Sequence, residues 1–409
     1  MIWSSLPVLI GLALISLAVG PPRPPRDSLR SFRIAWLSSL AFAAISGVIA
    51  IVRLDPEGMV AFVGGSGSLV CGYLLGMRSG VKGDAAGRLL LAISVGYAFH
   101  AIVLLIWFLE RTGWDLVGAI YLRWSIASIE SSSAHGFGNL GNNAVLAGML
   151  LPALLVAASR RSSWVLQAWF GVAALLAISV LILTQARAPL LSASIVAVLL
   201  FVAFRLRWQL ALLAALFVGL AALPSLESSD LEINAVARLA SSLTSPSADR
   251  SFSERSEAII EGIGLLWDHA SMGIGVSRLP TVMSHTAPHQ WHLHQALEWG
   301  IAAGISSMIA TAAVWWALIQ SLWRSWRRWF AFRDVATCLS IPGSYVLTAS
   351  MAGAQWHFGM ASVWPALCGI CFGVAWARAG SERTRRNDVE PKGAAVISRY
   401  PLPALSSRP

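Results

Sequence analysis

Long apolar runs separated by short polar connections dominate the pattern of this chain. A helix needs ~20 apolar residues to cross the hydrocarbon core of a bilayer, and eleven runs approach or exceed this length. The run 293–322 is longer than a bilayer requires, so we expect it to tilt or to extend into an interface. The pattern predicts an all-α polytopic membrane protein with about 11 transmembrane helices (11–12). The eleven runs are 2–20, 34–52, 59–77, 89–109, 140–158, 164–184, 189–204, 210–226, 293–322, 337–355 and 356–377.

The composition agrees with this interpretation. The chain has 409 residues, of which 56% are hydrophobic and only 12% are charged. Soluble proteins average about a quarter charged residues. The low charge and the 19 tryptophans exclude a disordered chain, a collagen-like fibre and an ordinary soluble enzyme. The four cysteines all lie in apolar runs, so no disulfide framework is indicated.

The net charge of +10 is explained by topology rather than by nucleic-acid binding. If the connections between runs are assigned to alternate sides, one side receives 22 of the 30 Lys and Arg residues and the other receives eight. Cytoplasmic connections are enriched in Lys and Arg, so the richer side faces the cytoplasm. We therefore expect a multi-pass membrane protein whose N-terminus lies outside and whose C-terminus lies inside.

The chain is predicted to form a single transmembrane helical domain over residues 1–377. The larger connections, 110–139 and 227–292, both fall on the outer side. In the second, apolar residues recur at helical spacing from Ser253 to about Ala270, which predicts an amphipathic helix on the outer membrane surface. The basic segment 378–409 is rich in Arg, Ser and Pro and is predicted to be a disordered cytoplasmic tail.

The outer connections carry the candidate chemistry. Arg187 lies in a short turn between two spans, where it is either a functional cation or an interfacial arginine whose head group reaches towards water. Four of the eight histidines fall within ten residues, at positions 285, 289, 292 and 294. Three interpretations of this cluster are open. One of the histidines is catalytic or orients a ligand, several of them form a metal site completed by Glu298, or all are interfacial residues without a special role. His100, within a span, is better explained as a packed core residue.

Three separated segments share one family pattern. The first is Thr184-Gln185-Ala186-Arg187-Ala188 between two spans. The second has Arg255, then Asp268-His269-Ala270 and Gly273-Ile274-Gly275. The third is His289-Gln290-Trp291-His292-Leu293 followed by Glu298-Trp299-Gly300, and a weaker fourth match is Phe137–Asn143 leading into a span with Pro152. In this order and spacing the sequence resembles the bacterial O-antigen ligase and polysaccharide polymerase family, polytopic glycosyltransferases of the GT-C type.

The resemblance covers roughly residues 136–305. Its arginine and histidine positions are intact, whereas Ala186, Ala188, Ala270 and Gln290 stand where the family usually has Ser, Gly, Pro and Asn. The family often has about twelve spans, compared with the eleven runs found here.

The resemblance implies a glycan on a polyprenyl diphosphate as donor and a hydroxyl group as acceptor. It assigns Arg187 and Arg255 to the diphosphate and His289 to the acceptor hydroxyl, as the catalytic residues. Further substrate contacts are expected from His292, His294, Glu298 and Asn142. The chain has no Asp-x-Asp motif, so we expect transfer without a metal or another cofactor. By analogy with the family, the resemblance also implies inversion at the anomeric carbon.

The sequence leaves the acceptor open. An O-antigen ligase transfers the glycan to the lipid A core or a protein, whereas a polymerase for O-antigen or exopolysaccharide transfers it to another lipid-linked glycan repeat. The alternative class is a transporter or flippase of the polysaccharide pathway without chemistry. A transporter predicts internal symmetry and charges deep within several spans, and the sequence offers little of either.

Overall fold

The computed structural model describes most of the predicted bundle as helices. Every regular element in the described part of the chain is helical. The described residues are 30–80, 84–111, 113–114, 140–160, 163–184, 186–206, 250–276, 278–284, 290–327, 331–352 and 363–389.

We number the described α-helices in chain order; a short π-helix, Val63–Gly67, joins the second to the third. The elements are α1 (Arg30–Val52), α2 (Pro56–Phe62), α3 (Ser68–Gly80), α4 (Ala85–Arg111), α5 (Leu140–Arg160), α6 (Trp164–Thr184), α7 (Arg187–Phe204), α8 (Arg250–Asp268), α9 (Leu279–Val282), α10 (Trp291–Trp299), α11 (Ile301–Trp326), α12 (Ala331–Ala352) and α13 (Val363–Val389).

The prediction of an all-α polytopic membrane protein is confirmed. Within the described residues, seven helical segments are long and apolar enough to cross a bilayer. Two more long helices, α12 and α13, correspond to the last two predicted runs. The predicted runs 2–20 and 210–226 lie outside the described residues. The seven segments are Arg30–Val52, Pro56–Gly80, Ala85–Glu110, Asn143–Arg160, Trp164–Thr184, Arg187–Phe204 and Ile301–Trp326.

The apolar run 293–322, which is longer than a bilayer requires, is divided between two helices. The backbone breaks at Gly300, where φ is +88°, and separates the short helix α10 from the spanning helix α11. A left-handed φ at this point cannot continue an α-helix, and glycine adopts it at low cost. The apolar run therefore divides into one span and a short helix that closes the end of the bundle.

The amphipathic helix of the large outer loop is confirmed as α8, within a few residues of its predicted bounds. One side of α8 packs on the protein through the fully buried Ala258. The opposite side leaves three large apolar side chains exposed at helical spacing, namely Ile260, Ile263 and Trp267.

Helices α3 and α13 approach so closely that their backbones touch. Gly72 and Gly76 on α3 face Gly369 and Gly373 on α13. A Cβ atom at Gly76 would overlap the carbonyl oxygen of Ile370, and one at Gly373 would overlap that of Tyr73. Small residues spaced four apart allow such contact between transmembrane helices. The pairing joins the two ends of the described chain and completes the bundle.

One end of the bundle carries most of the predicted motifs, and we call it the site end. Here α1 and α12 end, α7 and α11 begin, and α8 and α10 pack against the helix termini. The charge distribution predicts that the site end faces the periplasm. At the opposite end, α13 continues to Val389, so residues 378–389 of the predicted tail are helical, and 390–409 lie outside the described residues.

Candidate functional site

Two of the sequence motifs meet through their backbones at the site end. The segment Gly273-Ile274-Gly275 runs beside the end of α10, where the amide of Ile274 donates to the carbonyl of Leu297 at 2.6 Å and that of Gly275 donates to Glu298 at 3.2 Å. The amide of Ile301, the first residue of α11, donates to the carbonyl of Ala270 at 2.8 Å. The loop after α8 therefore fixes both sides of the break at Gly300.

Glycine is required at both partners of this contact. Gly273 has a φ of +69°, and a Cβ there would overlap the backbone carbonyl of Glu298. A Cβ on Gly300 would lie 2.6 Å from the carbonyl oxygen of Ser271. Both positions need a left-handed backbone and have no room for a side chain, so these motif glycines shape the site rather than bind a nucleotide.

His292 lies inside the bundle rather than at its surface. It is 9% exposed; its Nδ1 is 2.9 Å from the Ser307 hydroxyl on α11, and its Nε2 faces the Ser350 hydroxyl on α12 at 3.5 Å. Burial lowers the pKa of His292 below its usual range, because it penalises the charged imidazolium. His292 is thus held as a neutral imidazole between two hydroxyl groups, which connects α10 with α11 and α12.

His294 and Glu298 pair with each other along α10. Nε2 of His294 lies 3.1 Å from Oε1 of Glu298, one helical turn away, and both side chains are largely removed from solvent. Burying the carboxylate without a partner would be costly, and the imidazole can supply a hydrogen bond or, when protonated, a charge. The structure therefore shows Glu298 paired with a histidine of its own helix.

Arg187 is the first residue of α7 and is half-buried. Ser192, which follows it on α7 by ~7.5 Å of helical rise, makes a close hydroxyl contact with Thr348 on α12. Ser350, two residues further along α12, faces His292. The helices that carry Arg187 and His292 therefore pack against the same end of α12.

Arg255 lies on the protein-facing side of α8 and is half-buried. It precedes Ala258 by three residues, and Ala258 packs in a buried cluster with Leu297 of α10. Residues three apart share a helix face, so Arg255 and Ala258 lie on the same face of α8. The packing of α8 on α10 brings the Arg255 segment to the site end as well.

Two predicted residues receive no description of their surroundings. His289 lies outside the described residues, and for Asn142 the structure describes the backbone alone. Their sequence neighbours are placed: the side chain of Gln290 caps α10 by accepting from the amide of Leu293 at 2.6 Å. The buried Asn143 has its Oδ1 2.8 Å from Nε2 of His100, which supports the interpretation of His100 as a packed core residue.

Arg53, which the sequence motifs do not single out, also lies at the site end. Arg53 follows α1, is half-buried and donates a close hydrogen bond to the carbonyl of Gly273. Val276, three residues along the same loop, packs with Trp299 and Ile49 in a small core. Only eight Lys and Arg residues fall on the predicted outer side, so the rarity of outward cations was the available signal.

An apolar pocket opens within the bundle below the His292 cluster. Trp291 and Ser307 lie at its site end, and it is flanked further in by Trp36, which stacks on Tyr73 with ring centroids 3.6 Å apart. Its walls come from α1, α3, α10, α11, α12 and α13 and are almost entirely apolar. Such a pocket is suited to a hydrocarbon chain whose polar head lies at the site end.

No metal centre is evident in the part of the chain that the structure describes, because no three His, Cys, Asp or Glu side chains there are grouped so that they could hold an ion. The described polar groups instead form two arrangements, the neutral His292 cluster and the His294–Glu298 pair, with arginines on the neighbouring elements. Together they can orient a hydroxyl group and offset the charge of an anion.

Comparison with known proteins identifies this part of the chain. Residues 172–308 match a family model described as O-antigen ligase, which covers about a third of the chain and includes Arg187, Arg255 and α10. A search of curated proteins found no match. The match confirms the resemblance to the O-antigen ligase and polysaccharide polymerase family that the motifs indicated.

Proposed function

We propose that this chain, a multi-pass membrane protein with an O-antigen ligase domain, moves a glycan from a polyprenyl diphosphate to a hydroxyl acceptor at the outer face of the bacterial inner membrane. The observation that carries the proposal is the family match over 172–308, which includes α8, α10 and the start of α7 at the site end. In this topology the N-terminus is periplasmic and the C-terminus is cytoplasmic.

Arg187 and Arg255 hold the diphosphate of the donor. The leaving diphosphate gains negative charge as the sugar departs, and the planar guanidinium matches phosphate oxygens and stays charged. Support for this assignment comes from the position of both residues, half-buried on elements that pack at the site end. In this scheme the two guanidinium groups offset the charge of the diphosphate without a metal ion. The transfer needs no nucleotide, because the lipid diphosphate is itself the leaving group of the activated donor.

His289 acts on the acceptor hydroxyl, as a general base or by orienting it. In the transfer step the hydroxyl oxygen forms a bond to the anomeric carbon while the bond from that carbon to the diphosphate oxygen breaks. The electron pair of the broken bond leaves with the diphosphate, and the hydroxyl proton passes to the imidazole. Attack opposite to the leaving group inverts the anomeric carbon.

His292 is better assigned to positioning than to proton transfer. Both of its ring nitrogens face serine hydroxyls, which argues against a direct contact between its imidazole and substrate. It lies in the first turn of α10, directly after the segment that contains His289. His294, Glu298 and Asn142 remain proposed contacts for the sugar or the acceptor.

The apolar pocket receives part of the polyprenyl chain. Its apolar walls and its position below Trp291 favour a hydrocarbon over a sugar. The acceptor is the lipid A core, a protein or a further lipid-linked glycan repeat.

The proposal is tested on surface polysaccharide separated by gel electrophoresis. A deletion strain is complemented with wild type, Arg187→Ala, Arg255→Ala or His289→Ala, and Arg88→Ala serves as a control because Arg88 is exposed at the predicted inner end of α4. We expect the three site variants to lose long glycan and the control to retain it at equal protein level. Full glycan in all three site variants would refute the assignment.

The same gel separates the two acceptor classes. Loss of long glycan from the lipid core, with polymer accumulating on its lipid carrier, identifies a ligase. Loss of chain length, with single repeats still attached, identifies a polymerase.

A further inference from the structure

Two arginines that the proposed mechanism does not use converge on Gly275. A Cβ atom placed on Gly275 would lie 2.9 Å from Nη1 of Arg53 and 3.6 Å from Nε of Arg278. Arg53 comes from the end of α1 and Arg278 from the loop before α9, so elements 220 or more residues apart in sequence bring the two guanidinium groups to one point. We call this the Arg53–Arg278 pair.

The pair carries no compensating acid among the described residues. Neither arginine forms an ion pair there, although Asp55 lies two residues from Arg53. The carboxylate of Asp55 is buried and accepts from the amide of Glu57, as the cap of α2. Two like charges brought together repel each other, and an anion between them removes that repulsion.

The backbone holds the pair in place. Arg53 donates to the carbonyl of Gly273, and the amide of Gly275 donates to the carbonyl of Glu298. The segment Gly273–Gly275 is therefore fixed to α10 on one side and to Arg53 on the other. Gly275 has a φ of +111° and is buried, which leaves no room for a side chain where the guanidinium groups meet. The side chain of Arg278 is exposed, so a ligand can reach the pair from solvent.

We propose that the Arg53–Arg278 pair binds a phosphate group of a substrate, as a second anion site beside Arg187 and Arg255. The choice of phosphate rests on the proposed function, which supplies phosphate-bearing lipids at this end of the bundle. The chemistry favours it because two guanidinium forks offer several donors and a double positive charge to a phosphate or diphosphate. The phosphate is either part of the donor's diphosphate or carried by the acceptor.

The site is tested by the rate at which an arginine-specific reagent, phenylglyoxal, modifies each arginine of the full chain in lipid nanodiscs. Peptide mass spectrometry reads every arginine separately. Inorganic pyrophosphate is the first probe, compared with sodium chloride at the same ionic strength. We expect pyrophosphate to slow the modification of Arg278 several-fold and to leave Arg88, exposed at the opposite end, unchanged.

The variants test whether the two arginines act together. Arg53→Gln should remove most of the protection at Arg278. Because Arg53 also bonds to Gly273, the reverse experiment uses Arg278→Gln, which changes an exposed side chain and should remove the protection of Arg53. Equal modification rates of Arg278 with and without pyrophosphate, or full protection retained in both variants, would overturn the inference.

Two lipid probes identify the source of the phosphate. Protection by a polyprenyl diphosphate assigns the pair to the donor, and protection by a phosphorylated acceptor glycolipid assigns it to the acceptor. The result is separable from the proposed function. A wild-type protein that shows protection but no glycan transfer refutes the function alone, and one that transfers glycan without protection refutes the pair alone.

Discussion

Nδ1 of His292 lies 2.9 Å from the hydroxyl oxygen of Ser307, across the backbone break between α10 and α11. The contact joins the short helix that follows the predicted catalytic histidine to a spanning helix that lines the apolar pocket. A proposed reaction centre and a proposed lipid site are thereby linked by one buried pair.

Ser307→Ala should destabilise the protein. It leaves a buried imidazole nitrogen without its hydroxyl partner, which costs about 1–3 kcal/mol. The measurement is the thermal melting temperature in detergent. Ser306→Ala is the matched control, because Ser306 is only half-buried and its hydroxyl bonds to a carbonyl of its own helix. If both variants have the melting temperature of the wild type, the His292–Ser307 contact contributes nothing to stability.

Stability should fall in acid because of His292. Burial lowers the folded-state pKa of this imidazole, so below the unfolded value of about 6.5 the unfolded chain binds more protons than the folded one. The contribution of neutral His292 to the free energy of unfolding is fully present above pH 6.5. It is lost progressively as the pH falls towards the lower pKa of the folded state. Melting temperatures from pH 8 to pH 5, roughly the range in which histidine titrates, should fall less steeply for His292→Gln than for wild type. Parallel curves would contradict this assignment.

Gly273→Ala should disrupt the site end. The substitution places a Cβ on the carbonyl of Glu298 at a left-handed φ, a strain of roughly 1–3 kcal/mol before any displacement of the loop. We expect loss of glycan transfer together with a lower melting temperature. Gly264→Ala on the open side of α8 is the control and should be neutral or stabilising, since alanine favours a helix. Equal activity of the two variants would show that the loop does not shape the site.

Gly76→Val should separate α3 from α13. Valine would overlap the backbone of Ile370 in the closest helix contact of this pair, and the helices cannot both keep their positions. The expected result is poor yield of folded protein in detergent, measured by size-exclusion chromatography. Gly171→Val, where nothing lies within 4 Å of the added Cβ, should give a normal profile.

The exposed stripe of α8 should contact the bilayer surface. Ile260, Ile263 and Trp267 lie on one side of the helix, and the polar residue Glu257 is exposed on the same helix. Apolar faces of this kind enter the headgroup region by a few ångströms. For spin labels at 260 and 263, oxygen should accelerate the relaxation of the label more than a water-soluble nickel complex does. A label at 257 should show the opposite preference. Equal accessibility at all three positions would place α8 away from the membrane.

Hydrophobic periodicity was sufficient to predict most helices. The bounds of α6 are those of its predicted run, and α8 was found because its apolar residues recur at helical spacing next to charged ones. The break at Gly300 was missed because one glycine hardly changes the hydropathy of a thirty-residue run. Its left-handed conformation is imposed by the loop 270–275, a long-range contact that the local sequence does not reveal.

The site was predictable only in part. The motif order singled out Arg187, Arg255 and the segment of α10, all of which fall within the matched residues 172–308, and their roles in the site stay predictions. Ser307 and Ser350 could not be chosen, because serines within spans usually bond to carbonyls of their own helix, as both of these also do. Arg53 was indistinguishable from an ordinary flanking arginine until the fold placed it beside Gly273.

The most direct test of the account is glycan transfer by the purified chain in nanodiscs. The donor is a polyprenyl-diphosphate-linked glycan, and the acceptors are lipid A core and a lipid-linked repeat, assayed separately with a metal chelator present. The account predicts that glycan appears on one acceptor as free polyprenyl diphosphate accumulates in equal amount, and that His289→Ala abolishes both products. Absence of transfer to either acceptor, together with movement of the intact donor across the bilayer of sealed proteoliposomes that contain the same protein, would contradict it.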